Sequence, residues 1–157
     1  MRFFTGQYER SIDEKNRIQL PSQIRASIES DSERRGLYIT LGEDRKTLSI
    51  FTERGFEELA SRIETESMPG PESARFELQF FSLASFVEMD PQGRFVLPDR
   101  LVRKAGLGRE VFLIGRKKRI DIWDRAELER AIGIDWDGDD WPDWQGFLRM
   151  KPQGGQK

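Results

Sequence analysis

Apolar positions along the chain switch between strand-like and helix-like spacing, and the switching happens twice in the same order. Residues 7–12 and 17–20, with Tyr8, Ile12, Ile18 and Leu20 as apolar contributions, predict a first hairpin. Ile24 and Ile28, four apart after Pro21, predict a short helix with one buried face. Residues 29–36 are polar and end in Gly36, which predicts a loop. Residues 37–41 and 47–51 follow as strands around the turn-prone run 42–46. Thr52 can cap a helix in which Phe56, Leu59, Ala60 and Ile63 form an amphipathic stripe. Met68-Pro69-Gly70-Pro71 breaks the pattern, and a further helix from about Glu72 places Phe76, Phe80 and Leu83 on one face.

The same plan then returns. Residues 85–89 and 94–97 predict a second hairpin, Pro98 opens a helix with Leu101 and Ala105 inward, and Gly106 fits its C-terminal cap. Residues 110–114 and 119–123 predict strands, and Asp124 with Glu127 matches a capping box. The expected organisation is a first half over 1–68, a helical connector over 69–82, a second half over 83–132 and a largely flexible acidic, Trp-rich tail over 133–157. Each half is near the lower size limit for a self-sufficient core, so the halves are expected to share one.

The return is sharpest in one phrase. Ile12-Asp13-Glu14-Lys15-Asn16-Arg17-Ile18-Gln19-Leu20-Pro21 is matched by Met89-Asp90-Pro91-Gln92-Gly93-Arg94-Phe95-Val96-Leu97-Pro98. Both read apolar, Asp, three turn-prone residues, Arg, apolar, any, Leu, Pro. Asp starts turns because its carboxylate accepts hydrogen bonds from backbone N–H groups shortly downstream. Asn16 and Gly93 share a place in the phrase, and these residue types take positive φ most readily. Each Arg therefore leaves a tight turn at the start of a strand, with Asp13, Asn16, Asp90 and Gly93 as turn organisers.

This paired phrase resembles MraZ, a family of bacterial transcriptional regulators. The run Phe4-Thr5-Gly6-Gln7-Tyr8, the stretch from Ala74-Arg75-Phe76 to Phe80-Phe81, and Arg119-Ile120-Asp121-Ile122-Trp123-Asp124 extend the resemblance over roughly residues 1–132. It implies an α+β fold of two SpoVT/AbrB-like β-β-α-β-β halves, related by a pseudo-two-fold axis, with swapped hairpins around a shared core. The chain departs from the family at Asn16, where Gly is usual, in the basic run Arg116-Lys117-Lys118-Arg119, and in its tail.

Charge and composition narrow the chemistry. The chain has 157 residues, neither cysteine nor histidine, and a net charge of −2. Disulfides, thiolate nucleophiles, common zinc sites and His-based triads are thereby removed, and no catalysis, cofactor or metal is expected. No apolar run approaches a membrane span, and a cytoplasmic, nucleoid-associated protein is expected. The mild negative charge argues against a nucleic-acid partner, but its distribution argues for one. Residues 94–119 hold nine Lys or Arg against only Asp99 and Glu110, whereas Asp135, Asp137, Asp139, Asp140 and Asp143 crowd the tail.

Two readings of Arg17 and Arg94 follow. Either the arginines contact DNA, since a two-stranded ribbon fits the major groove and Arg pairs bidentately with guanine, or each closes its turn as a local ion pair with Asp. The resemblance favours DNA, with Lys15, Gln92 and Arg10 in support and Arg116, Lys117, Lys118 and Arg119 as candidate phosphate contacts; the alternative for the basic run is a solvated turn. Phe76, Phe80 and Phe81 fit core or subunit packing better than a ligand box. The tail is either a passive appendage or a segment that folds back on the basic run. The resemblance further implies repression of the promoter of the division and cell-wall gene cluster, including the chain's own gene. It also implies a ring-like homo-oligomer meeting short repeats in double-stranded DNA. The competing class is a protein-interaction module of antitoxin type.

Overall fold

The computed structural model describes residues 3–30, 35–133 and 136–150. In chain order the elements are β1 (Gln7–Ser11), β2 (Arg17–Gln19), α1 (Ser22–Ser30), β3 (Gly36–Leu41), β4 (Thr47–Thr52), α2 (Glu53–Glu66) and α3 (Pro71–Leu83). The second half adds β5 (Ser85–Glu88), β6 (Arg94–Val96), α4 (Asp99–Ala105), β7 (Glu110–Gly115), β8 (Ile120–Asp124) and α5 (Arg125–Ile132), and α6 (Trp144–Leu148) follows. The fold is α+β, with the β-β-α-β-β order in each half. Among the described residues, no helix is long and apolar enough to cross a membrane.

The two halves interleave in the sheet. Six strands form one sheet in the order β1-β7-β8-β4-β3-β5, and β2 pairs with β6 in a separate two-stranded ribbon. Exchanging each strand for its counterpart in the other half reproduces the same sheet read backwards, which is a pseudo-two-fold axis between β4 and β8. All the pairings are antiparallel. Each expected hairpin therefore turns as predicted, but its arms part. β1 runs along β7 with Gln7 opposite Ile114, while β2 joins β6 with Ile18 opposite Phe95. A lone two-stranded hairpin is marginal in water, and interleaving instead gives each arm a partner in the other half.

Alternation along the strands builds two layers. Leu37, Ile39, Leu48, Ile50, Val111, Leu113, Ile120 and Ile122 form one core with Ile18, Leu20, Phe95 and Leu97 of the ribbon segments. Ile24 and Ile28 of α1 and Leu101 and Ala105 of α4 complete it. On the opposite face, Leu128 of α5 packs on Phe112 and Trp123, while Phe56 of α2 stacks on Tyr38 with ring centroids 4.2 Å apart and meets Phe81 of α3. The ribbon and α1/α4 thus cover one face of the sheet, and α2, α3 and α5 cover the other.

The predicted caps form. The Thr52 hydroxyl accepts from Gly55 N–H at 2.9 Å, Asp124 accepts from Glu127 N–H at 3.2 Å, and Gly106 ends α4 at φ +70°. Helix α1 runs to Ser30, into the stretch expected as loop, because no breaker follows Ile28 until residue 36. In the tail, Asp143 caps the short helix α6 by accepting from Gly146 N–H at 2.9 Å. Residues 134, 135 and 151–157 of the predicted flexible tail lie outside the described residues.

Candidate nucleic-acid interface

The ribbon has one wet face and one dry face. In the β2–β6 register Arg17 stands opposite Val96 and Gln19 opposite Arg94. Period-two alternation sends these four side chains outward and Ile18 and Phe95 inward, both almost fully buried. The pairing extends past the strands: Leu20 N–H donates to Gly93 O at 2.9 Å and Leu97 N–H to Asn16 O at 2.8 Å. Two arginines from matching positions of the two repeats thereby lie on a single exposed surface about the pseudo-two-fold axis.

Both turns use the same wiring. Asp13 Oδ1 accepts from the N–H groups of Lys15 (2.9 Å) and Arg17 (2.8 Å), and its Oδ2 accepts from Arg17 Nε at 2.7 Å. Asp90 does the same with Gln92 N–H, Arg94 N–H and Arg94 Nε, each at 2.9 Å. The Arg17 and Arg94 backbone N–H groups, first among the causes, hold the two carboxyls below their ordinary value of 3.8. Each carboxylate grips only Nε, at the base of the guanidinium. Among the described residues, no hydrogen bond engages the terminal Nη groups of Arg17 or Arg94. The arginine side chains are 46% and 49% exposed. Asp thus fixes the direction of the fork and leaves its two-pronged end to a ligand. The ion pair and the DNA contact, set against each other on sequence grounds, are compatible.

Asn16 and Gly93 both adopt the left-handed conformation, at φ +60° and +83°. They differ in surroundings. A Cβ on Gly93 would fall 2.1 Å from Cδ of Arg25, whose Nη1 donates to Pro91 O at 3.3 Å. At Asn16 the side chain is used: its Nδ2 donates to Asp99 Oδ1 at 3.3 Å. Arg10 lies under the ribbon, with Nε donating to Gln19 O at 3.0 Å and Nη1 to Glu9 O at 2.8 Å, both backbone acceptors. Lys15 and Gln92 sit exposed on the two turns, and Gln92 O accepts from Gln19 Nε2 at 2.8 Å. Gln19, Val96 and Arg25 did not stand out in the sequence, although alternation within Arg-Ile-Gln and Arg-Phe-Val was enough to place the first two beside the arginines.

The basic run is elsewhere. It joins β7 to β8, beyond the sheet face that carries α2 and α3. Asp121, buried on β8, accepts from Ser49 Oγ at 2.8 Å, Arg116 Nη1 at 3.0 Å and Arg119 Nε at 2.9 Å, and Arg119 Nη2 reaches Glu43 at 3.1 Å. Partial burial, the largest single cause, pulls the Arg119 pKa down, but the hydrogen bonds and charges of Asp121 and Glu43 together outweigh it and the net shift is upward. Lys117 and Lys118 are exposed and, among the described residues, make no ion pair. Of the tail, Trp136 packs on Phe112, ring centroids 5.9 Å apart.

A family model described as "MraZ protein, putative antitoxin-like" matches residues 80–132. A "Transcriptional regulator MraZ" from Finegoldia magna is 34% identical over 127 residues, covering 81% of this chain and 85% of that protein. Proteins of the same name from Coxiella burnetii and Thermomicrobium roseum are each 31% identical, covering 88% and 83% of this chain and 90% and 92% of their own lengths.

Proposed function

The chain belongs to the MraZ family of transcriptional regulators, and from that premise we propose that it regulates by sequence-specific binding of double-stranded DNA through the β2–β6 ribbon. The observation that carries this reading is the pair of guanidinium forks, aimed by matched aspartates on one exposed face. A two-stranded ribbon is narrow enough for the major groove, and Arg is the side chain best suited to O6 and N7 of guanine. Arg17 and Arg94 read base edges in this proposal, with Gln19 beside them. Lys15 and Gln92 approach the phosphates, and Arg10 braces the ribbon through the Gln19 carbonyl. Arg116 to Arg119, on the far side of the sheet, are at most distant contributors to the field.

A single ribbon is small, so affinity comes from multivalency: a homo-oligomer, closed as a ring, sets several ribbons against successive short repeats. The regulated site is the promoter of the division and cell-wall gene cluster, including the chain's own gene, with repression as the sense of control and the nucleoid of the cytoplasm as the location. The exposed Phe76 and the adjoining Phe80 on α3 supply an apolar face for assembly. Light scattering should give a mass well above the 18.3 kDa of one chain, and a monomer mass at micromolar concentration contradicts assembly. Selection of bound fragments from random DNA tests the reading directly. Short guanine-containing motifs repeated at constant spacing are the expected result, and no enrichment over input overturns it. The antitoxin-like description of the family model favours one second reading, a protein partner on the ribbon. In that case Arg17→Ala with Arg94→Ala abolishes capture of a protein and leaves DNA untouched.

A further inference from the structure

Among the described residues, the tail carries apolar side chains open to solvent. Trp141 is 89% exposed, and Trp144, Phe147, Leu148 and Met150 are each more than half exposed. Asp137, Asp139, Asp140 and Asp143 precede or interleave with them. The segment is therefore acidic first and apolar after.

A surface of matching order lies on the sheet face away from the ribbon. Two clefts adjoin there and share Phe51, Leu59 and Arg119. One, of about 520 Å³, is walled by Leu41, Ile63, Phe76 and Phe80. The other, of about 380 Å³, is rimmed by Arg62, Arg116, Lys117 and Lys118. Both volumes fall in the ~300–1,000 Å³ range of small-ligand clefts. The composite groove is cationic at one end and apolar at the other.

We infer that this groove receives residues 136–150 of a second copy of the chain. Within its own chain the segment is held elsewhere, with Trp136 against Phe112 and the apolar side chains of α6 exposed. In the partner's groove Trp144, Phe147 and Leu148 fill the apolar cleft, and Asp137, Asp139 and Asp140 lie along Lys117 and Lys118. Arg116 and Arg119 share the Asp121 carboxylate, so the rim keeps a cationic surplus for an acidic segment to neutralise. The inference rests on the homo-oligomer reading above and names a contact that would hold it together. It also leaves the ribbon uncovered, because groove and ribbon are on opposite faces of the sheet.

The absence of cysteine makes the test clean. Full-length chains carrying Gln79→Cys in the groove wall are mixed with full-length chains carrying Phe147→Cys in the tail, both at exposed positions, and oxidised gently. A disulfide-linked pair containing one of each chain should form at least about ten-fold faster than either variant couples to itself, as effective concentration dictates for docked segments. Asp139→Lys with Asp140→Lys in the tail chain should remove that advantage. Mixed pairs no faster than self-coupling overturn the inference. So does a Gln79→Cys, Phe147→Cys double variant that closes within one chain at a rate independent of dilution, since the tail then docks in its own groove. Light scattering of the uncoupled chains separates the premises: an oligomer without the mixed link sinks this contact alone, and a monomer sinks the assembly as well.

Discussion

Replacing both ribbon arginines by lysine, Arg17→Lys with Arg94→Lys, keeps every charge and still should destroy sequence recognition. In each turn Asp holds the guanidinium by Nε, at 2.7 Å and 2.9 Å, and the two Nη groups remain for a base edge. Lysine has a single ammonium at the end of a flexible stem. It can pair with the aspartate or reach the groove, and it cannot present two parallel donors in either case. A good bidentate contact discriminates between bases by about 1–3 kcal/mol, roughly a 5- to 150-fold change in affinity per position. The two sites share one ribbon, so their effects need not add, and a combined loss on the order of 100-fold for the selected sequence is expected. Binding to unrelated DNA should hardly change, and the slope of log affinity against log salt should be preserved, because the number of phosphates neutralised is the same. Stability should stay near that of the parent, since exposed ion pairs contribute little. Fluorescence anisotropy with selected and scrambled duplexes across a salt series measures all of this. A lysine chain with the parent's specificity ratio would show that the arginines act as point charges, and the fork geometry would then explain nothing.

Gly93→Ala should destabilise by about 1–2 kcal/mol from the left-handed backbone alone, with more if Arg25 cannot move aside, whereas Asn16→Gly should be nearly neutral; urea unfolding compares them. Asp121→Ala should cost about 3 kcal/mol, the low end for breaking a buried pair because Arg116 and Arg119 retain access to water, and a Tm unchanged from the parent would refute it. Asp13 and Asp90 have depressed folded pKa values, so their contribution is present above the ordinary value of 3.8 and lost as pH falls through the lower folded ones. Acid titration of Asp13→Asn with Asp90→Asn should accordingly show a stability deficit at neutral pH that closes below pH 3.8, and a deficit independent of pH would remove the carboxylates from the account.

The elements and the organising phrase were legible because they depend on local chemistry. Thr52, Asp124 and Gly106 announce helix ends by capping rules that need no tertiary partner, and Asn16 and Gly93 mark positive φ by residue type. The aspartate-to-arginine geometry followed from four-residue spacing. What stayed hidden involves distance in the chain. Alternation in β1 says that Tyr8 and Ile12 face inward, but nothing in residues 7–12 says that the partner is β7 and not β2. The basic run illustrates the other limit: four cations in a row announce charge, while the carboxylate that engages two of them is a single Asp121 inside an apolar strand. Arg25 over Gly93 was invisible for the same reason, since the contact joins the first helix to the second turn.

The interleaved sheet has a consequence for how the protein is made. On the ribosome, Gln7 has no neighbour until Ile114 has been synthesised, and Arg17 has no ribbon until Val96 emerges. For most of translation β1 and β2 lack their partners, and within the first half only β3 and β4 can pair with each other. Contacts so remote in sequence close slowly, and the exposed edges are open to pairing with another nascent chain meanwhile. The β2–β6 ribbon is accordingly among the last features to exist. A ribosome that stalls before the second Asp-x-x-x-Arg turn leaves behind a fragment without a ribbon.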